Sequence, residues 1–242
     1  MQALARTMES PPGVVAAALR KRTDAATSPA PPRPASPFDV LERFGTKRTV
    51  HRGQEIYAAG DPADHCYRVV SGSVRTVGLD EDGRRHIAEF LLPGDLFGFD
   101  ALGAHHLSAE AVTDVVVLRY PRRIVEAMAD RHGALGRRLR DLALQSLRRA
   151  HEKMFLLGRK TAGERLAAFL LEMAAPPPAD RGGVVLPMTR ADIADHLGLT
   201  IETVSRNMAR LCRDGTIAAT KRGIQIRDRR ALRSFGTGTA RH

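Results

Sequence analysis

Residues 189–212 read TRADIADHLGLTIETVSRNMARLC, and the spacing of small, apolar and polar residues predicts two helices joined by a tight turn. Ala194 sits where the helices must approach closely, and Gly198 where the turn needs an unhindered backbone. Ile193, Leu197, Leu199 and Val204 supply the apolar seam. Thr200 is placed as N-cap of the second helix. Along that helix Ile201, Val204, Met208 and Leu211 share one side, which is expected to be buried. The opposite side carries Glu202, Ser205 and Arg206 near the N-terminal end, the part of such a helix that meets base edges in a major groove.

The side-chain chemistry suits base readout. An arginine fork bonds guanine O6 and N7 together, a carboxylate accepts from cytosine N4, and a serine bonds either kind of edge. An E-x-x-S-R string alone describes many solvated helix faces; here it follows a correctly spaced turn and precedes RDGTIAATKRGIQIRD at 213–228. The Asp214-Gly215 stop and the alternation of Ile217, Ile224 and Ile226 predict a short β-hairpin wing. Candidate contacts to the DNA backbone are Thr189, Arg190, Thr200, Thr203, Arg210, Lys221 and Arg222, with Arg227, Arg229, Arg230 and Arg233 crowding the segment behind the wing. A formal charge of +11 and a pI near 10.7 favour a polyanionic partner.

The 242 residues give room for two modest domains and tails, and 43% apolar content suffices for a core in each. No apolar run approaches the roughly 18 residues of a membrane span, and GVVAAAL at 13–19 is followed by Arg20, Lys21 and Arg22 rather than a cleavage site. A cytoplasmic protein with no membrane partner is expected. Cys66 and Cys212 lie in different predicted domains, so reduced thiols are the default. Residues 1–37 hold about half of the prolines, in clusters such as SPAPPRPASP, and are expected to form a disordered tail with a short helix around Val14 to Arg22; 236–242 form a second tail.

From Phe38 the pattern changes to short β-rich runs: RTVHRGQEIYAAG, CYRVVSGSVRTVGL, RRHIAEFLLPGD and SAEAVTDVVVLRY. The turn dipeptides Gly60-Asp61, Ser71-Gly72, Asp82-Gly83 and Pro93-Gly94 punctuate them as consecutive hairpins require. This predicts an antiparallel β-roll over 38–125. Helical periodicity returns from 121. In the region 126–158 one stripe, Leu135, Leu139, Leu142 and Ser146, can cover the roll. A second, Ala143, Leu147, Ala150, Met154 and Leu157, has the 4-3-4-3 spacing of a paired coiled coil. One helix-turn-helix reads only a short half-site, so this second stripe is the expected homodimer interface. The winged helix-turn-helix domain then spans 159–235, making the class α+β.

A β-roll of cyclic-nucleotide-binding type, a long dimerisation helix and a C-terminal winged helix, in that order, resemble the Crp/Fnr superfamily of bacterial transcription regulators. The strings GDPADHCYRVVSGSVR, DGRRHIAEFLLPGDLFG and the core from Glu202 to Arg206 are most similar to its FixK branch. The resemblance implies a non-enzymatic regulator. It would bind double-stranded DNA as a homodimer at a TTGA-type inverted repeat, contact RNA polymerase, and activate genes for low-oxygen respiration, denitrification or nitrogen fixation.

Departures from relatives bear on cofactors. An Fnr-type iron–sulfur cluster takes about four thiolates, and the sequence offers two cysteines. Cyclic-nucleotide receptors of the family pair a glutamate in an F-G-E string with a downstream arginine. Here the string is Phe97-Gly98-Phe99, and DALGAHHLSAEA supplies no arginine. His105 and His106 are read as surface loop residues rather than haem ligands. No cofactor or metal site is therefore expected, and Cys212 is read as a quiet, partly buried thiol. The alternative is a roll that binds a small effector or haem and makes DNA binding conditional.

Overall fold

The computed structural model describes residues 36–99, 103–174, 184–220 and 223–235. The two tails apart from Ser36 and Pro37, the helix expected around Val14, and Lys221 and Arg222 lie outside the described residues.

A 3-10 turn at Asp39–Phe44 leads into eight short strands: β1 (Thr46–Val50), β2 (Glu55–Tyr57), β3 (His65–Ser71), β4 (Val74–Leu79), β5 (Arg85–Leu91), β6 (Leu96–Phe97), β7 (Ser108–Ala111) and β8 (Val115–Pro121). They form two four-stranded antiparallel sheets, ordered β1-β8-β3-β6 and β2-β7-β4-β5. Alternation turns Tyr67, Val69, Val115 and Val117 inward, where they join Ile56, Tyr57 and Phe97 in the roll's core. The chain turns where the dipeptides put it, but of the four only Asp82-Gly83 closes a hairpin, between β4 and β5. Gly60-Asp61, Ser71-Gly72 and Pro93-Gly94 each carry the chain from one sheet to the other, because a turn signal fixes where the chain reverses and not which strand it then pairs with. Gly72 shows why one must be glycine: its φ is +80°, and a Cβ there would collide with Asp114 O and lie 2.9 Å from Thr113 Oγ1.

His105 departs from the surface reading. It is 4% exposed, and its ring stacks on Tyr57 with centroids 3.6 Å apart. The loop is drawn inward by backbone hydrogen bonds: His105 N donates to Asp61 O, and Gly60 N donates to His105 O. Tyr67 and Phe97 extend the stack at 5.2 Å, so these rings pack beside the aliphatic side chains of the roll's core. His106 is exposed.

The roll closes on helix α1 (Arg122–Arg131), so the expected boundary between 125 and 126 falls inside a helix. After a break at His132, helix α2 runs Gly133–Arg159. Leu135 is fully buried against Phe38, Leu41, Tyr120, Val125 and Met128, with Leu139 and Leu142 packed beside it, while Ser146 is exposed. On the second stripe Leu147 and Met154 are 53% and 61% exposed. Leu144 and Phe155, which the heptad reading left out, are also exposed. No helix among the described residues is long and apolar enough to cross a membrane.

Helix α3 (Ala162–Met173) opens with a capping box in which Thr161 and Glu164 satisfy each other's backbone N–H groups. Strand β9 (Val184–Val185), helices α4 (Arg190–Leu197) and α5 (Ile201–Arg213), strands β10 (Ile217–Thr220) and β11 (Gly223–Ile226), and helix α6 (Arg229–Ser234) complete the described fold. Strands β10 and β11 are the expected wing, widened by β9 into a three-stranded sheet. Leu166, Leu170, Ile193, Leu197, Val204, Leu211, Ile217 and Leu232 share one buried core, which Phe90 and Val112 of the roll also join.

Candidate nucleic-acid interface

Two adjacent caps build the motif. Thr189 caps α4, accepting from the N–H of Asp192 while Asp192 accepts from that of Thr189. Gly198 then takes the left-handed conformation, φ 60° and ψ 47°, which ends α4. Thr200 caps α5 by accepting from the N–H of Thr203. Ala194, 1% exposed, lets the helices approach, and Ile193, Leu197 and Val204 form the seam with Leu199 packed against it. Of the four residues expected on the buried side of α5, Val204, Met208 and Leu211 are buried. Ile201 is 48% exposed, because as the first residue of α5 it stands beyond the edge of the core, and Leu199 packs there instead.

Glu202 and Arg206 are exposed and Ser205 half-buried on the opposite side. Arg190 brings the start of α4 to this face, its Nη1 donating to Ser205 Oγ at 3.4 Å. Arg206 Nη2 donates to Thr203 Oγ1 at 3.3 Å, and Thr200 Oγ1 donates to the same oxygen at 3.0 Å. Ser205 and Arg190 therefore make one pair, and Arg206, Thr203 and Thr200 another group, on the side of α5 that Glu202 shares. Thr189 has its hydroxyl committed to Asp192, donating to Oδ2 and accepting from the backbone N–H. Arg210 stands apart, lying over the Phe235 ring at 5.3 Å and pairing with Asp214. The arginines behind the wing fall at or on α6. Arg229 donates to Ala174 O at 2.9 Å and so holds α6 to the end of α3. Cys212 is exposed, not partly buried, because α5 turns that position away from its core side.

The seating of α4 was not legible in the sequence. Asp192, buried at the first turn of α4, uses Oδ2 for the cap and Oδ1 for Arg75 at 2.8 Å and Arg85 at 2.7 Å. Burial pushes its carboxyl up, but the Thr189 hydrogen bonds and the two guanidinium groups outweigh that and leave its pKa below the ordinary value. Farther along, His196 Nδ1 lies 3.1 Å from Ile87 O, and Lys153 of α2 donates to Ile87 O and Ala88 O at 2.9 and 2.7 Å. Those carbonyls are open because β5 is an edge strand whose register shifts past Ala88. Burial lowers Lys153 to about 8. Burial, then the Lys153 charge, lowers His196 to about 4. At the other end, Arg165 donates to Leu197 O of α4 and to Leu157 O and Lys160 O at the end of α2. The Thr161-x-x-Glu164 and Thr189-x-x-Asp192 caps carry a sequence signature; the cross-contacts do not, for they join residues up to 117 positions apart.

Fold and interface together define a regulator in which a β-roll is joined through a long helix to a winged helix-turn-helix. Residues 47–132 match the cyclic nucleotide-binding domain family and residues 164–235 the Crp-like helix-turn-helix domain family. The chain is 43% identical over 204 residues to the nitrogen fixation regulation protein FixK of Azorhizobium caulinodans, covering 82% of each chain. It is 37% identical to the transcriptional activator protein FnrL of Cereibacter sphaeroides, covering 78% of this chain and 79% of that one. The structure of FixK2 from Bradyrhizobium japonicum superposes with a TM-score of 0.75 at 42% identity, over 81% of this chain and 99% of that one. The chain belongs to the Crp/Fnr family of transcription regulators, in its FixK branch.

Proposed function

We propose that the chain is a non-enzymatic, cytoplasmic transcription activator that binds a TTGA-type inverted repeat as a homodimer. It recruits RNA polymerase to genes for low-oxygen respiration, denitrification or nitrogen fixation. The nitrogen fixation regulation protein FixK supports the nitrogen-fixation part of this reading, and the transcriptional activator protein FnrL supports activation. The observation that carries the DNA reading is the polar face of Glu202, Ser205 and Arg206, set on a helix whose other side is fixed by Val204, Met208 and Leu211. Phosphate contacts from Arg190, Thr200, Thr203 and the wing's Lys221 and Arg222 position that face, with Thr189 supporting it through its cap and Arg210 reaching from the far end of α5. Pairing runs along Ala143, Leu147, Ala150, Met154 and Leu157; the exposure of Leu147 and Met154 supports it, and Leu144 and Phe155 widen the apolar surface. Functionally the chain divides into the roll to 125, the dimerisation region 126–158 and the DNA-binding domain 159–235.

The roll works without a bound effector in this reading, which the inward packing of His105 on Tyr57 and the Phe97-Gly98-Phe99 string support. Arg206→Ala tests the central claim in a fluorescence-anisotropy titration of an inverted-repeat duplex. Specific affinity falls by about 1–3 kcal/mol per half-site while folding and dimerisation persist. Wild-type affinity and selectivity in that variant would show that the recognition face is elsewhere.

A further inference from the structure

We propose that Arg75 and Arg85 of the β-roll are positioning residues for DNA reading: they clamp α4 and thereby set the separation of the two recognition helices in the dimer. This rests on the DNA-binding reading above and assigns to the roll a task that needs no ligand. Arg85 forks across two carboxylates one turn apart on α4, its Nε donating to Asp195 Oδ2 at 2.9 Å and its Nη2 to Asp192 Oδ1 at 2.7 Å. Arg75 is anchored on its own sheet by Glu110 of β7, at 2.8 Å from Nε and 2.6 Å from Nη2. It reaches Asp192 Oδ1 with Nη1 at 2.8 Å. Asp192 is 3% exposed and Arg75 15%, so these charges interact largely out of water. One carboxylate thus joins the helix cap to the roll: its Oδ2 holds Thr189 and its Oδ1 holds both arginines.

The rest of α4 is fixed in the same direction. His196 and Lys153 meet at the open carbonyls of β5, and Arg165 ties the end of α4 to the end of α2. Apolar contact through Phe90 and Val112 alone tolerates sliding; a guanidinium fork on two carboxylates tolerates little. Helices α4 and α5 share a packed seam, so the angle imposed on α4 is passed to Glu202, Ser205 and Arg206. In a dimer held along α2, that angle decides which half-site spacing both recognition helices can meet at once, roughly one helical turn of DNA.

The test uses the full-length chain with Arg75 and Arg85 both changed to Ala, and two readouts. The first needs no DNA. Cys212 is exposed and Cys66 buried, so Cys212 and a Leu79→Cys change at a 72% exposed position take two spin labels. Double electron–electron resonance, with labelled protein diluted by unlabelled, measures their intramolecular distance. The distribution is narrow with the arginines present and broad in the double variant. An unchanged width overturns the clamp.

The second readout is affinity for inverted repeats of TTGA half-sites whose spacer is varied one base pair at a time. The chain with both arginines prefers one spacer by tenfold or more. The double variant keeps its preference for TTGA over scrambled half-sites but separates spacers by less than threefold. Arg85→Lys, which keeps the charge but loses the fork, lies between. A loss of stability alone would weaken every spacer equally, so an unchanged spacer ratio overturns the positioning role. A narrow, arginine-dependent distance in a protein indifferent to TTGA would uphold the clamp and refute the proposed DNA sequence.

Discussion

His196 gives the interdomain seam a pH signature. Its imidazole is buried between Phe90 and Phe169, at ring distances of 5.2 and 5.5 Å, and faces Lys153 from α2, with His86 of β5 adding to the unfavourable charge. Burial and the Lys153 ammonium lower its pKa from 6.5 to about 4. A histidine lowered in the folded state stays neutral there while the unfolded chain takes up its proton. Its contribution is therefore whole above pH 6.5 and declines as pH falls from 6.5 towards 4. Linkage over that interval gives a loss of about 2 kcal/mol by pH 5 and about 3 kcal/mol by pH 4. His196→Gln retains an N–H for Ile87 O and cannot titrate. Urea unfolding of both proteins at pH 7, 6 and 5 isolates the group, since every other titration is common to both and cancels. The stability of the original chain relative to the variant should drop by about 2 kcal/mol between pH 7 and 5. Parallel stability curves would mean that His196 is not held neutral against Lys153, and the account of that seam would fail.

Leu147→Glu places two like charges on the proposed seam; sedimentation should shift towards monomer, with affinity for a full inverted repeat declining towards that for a half-site. If the variant stays dimeric at micromolar concentration, the interface lies elsewhere. Gly72→Ala sets a side chain at φ +80° against Thr113 and Asp114, and thermal unfolding should report a loss of about 2–4 kcal/mol. Leu166→Ala opens the fully buried centre of the winged-helix core, with an expected cost of about 2–5 kcal/mol by denaturant titration. The purified protein should bind its inverted repeat with no Soret or iron–sulfur absorbance; a visible band lost together with DNA binding would favour an effector-dependent roll.

Local physics made most of the architecture legible. Turn dipeptides, β alternation and helix caps act over a few residues, so the turns of the roll, the wing and the two helices around Gly198 could all be read from spacing, whereas the switch of sheet at three of the roll's turns could not. The polar face of α5 followed from helical periodicity, and the family from the same strings. Cys212 and Ile201 depart from expectation within α5 itself; elsewhere the departures have a distant partner. By sequence His105 is a surface loop residue, but the loop folds back and stacks it on Tyr57. The seating of α4 is the fullest case. In sequence, Arg75, Arg85, Lys153, Asp192, Asp195 and His196 are charges on solvated faces, with no period or motif to join them. Only when β5 packs beside α2 and α4 do they become partners, with Asp192 and His196 buried and the other four half-buried, because a charge's environment is set by what packs over it in three dimensions and not by its neighbours in the chain.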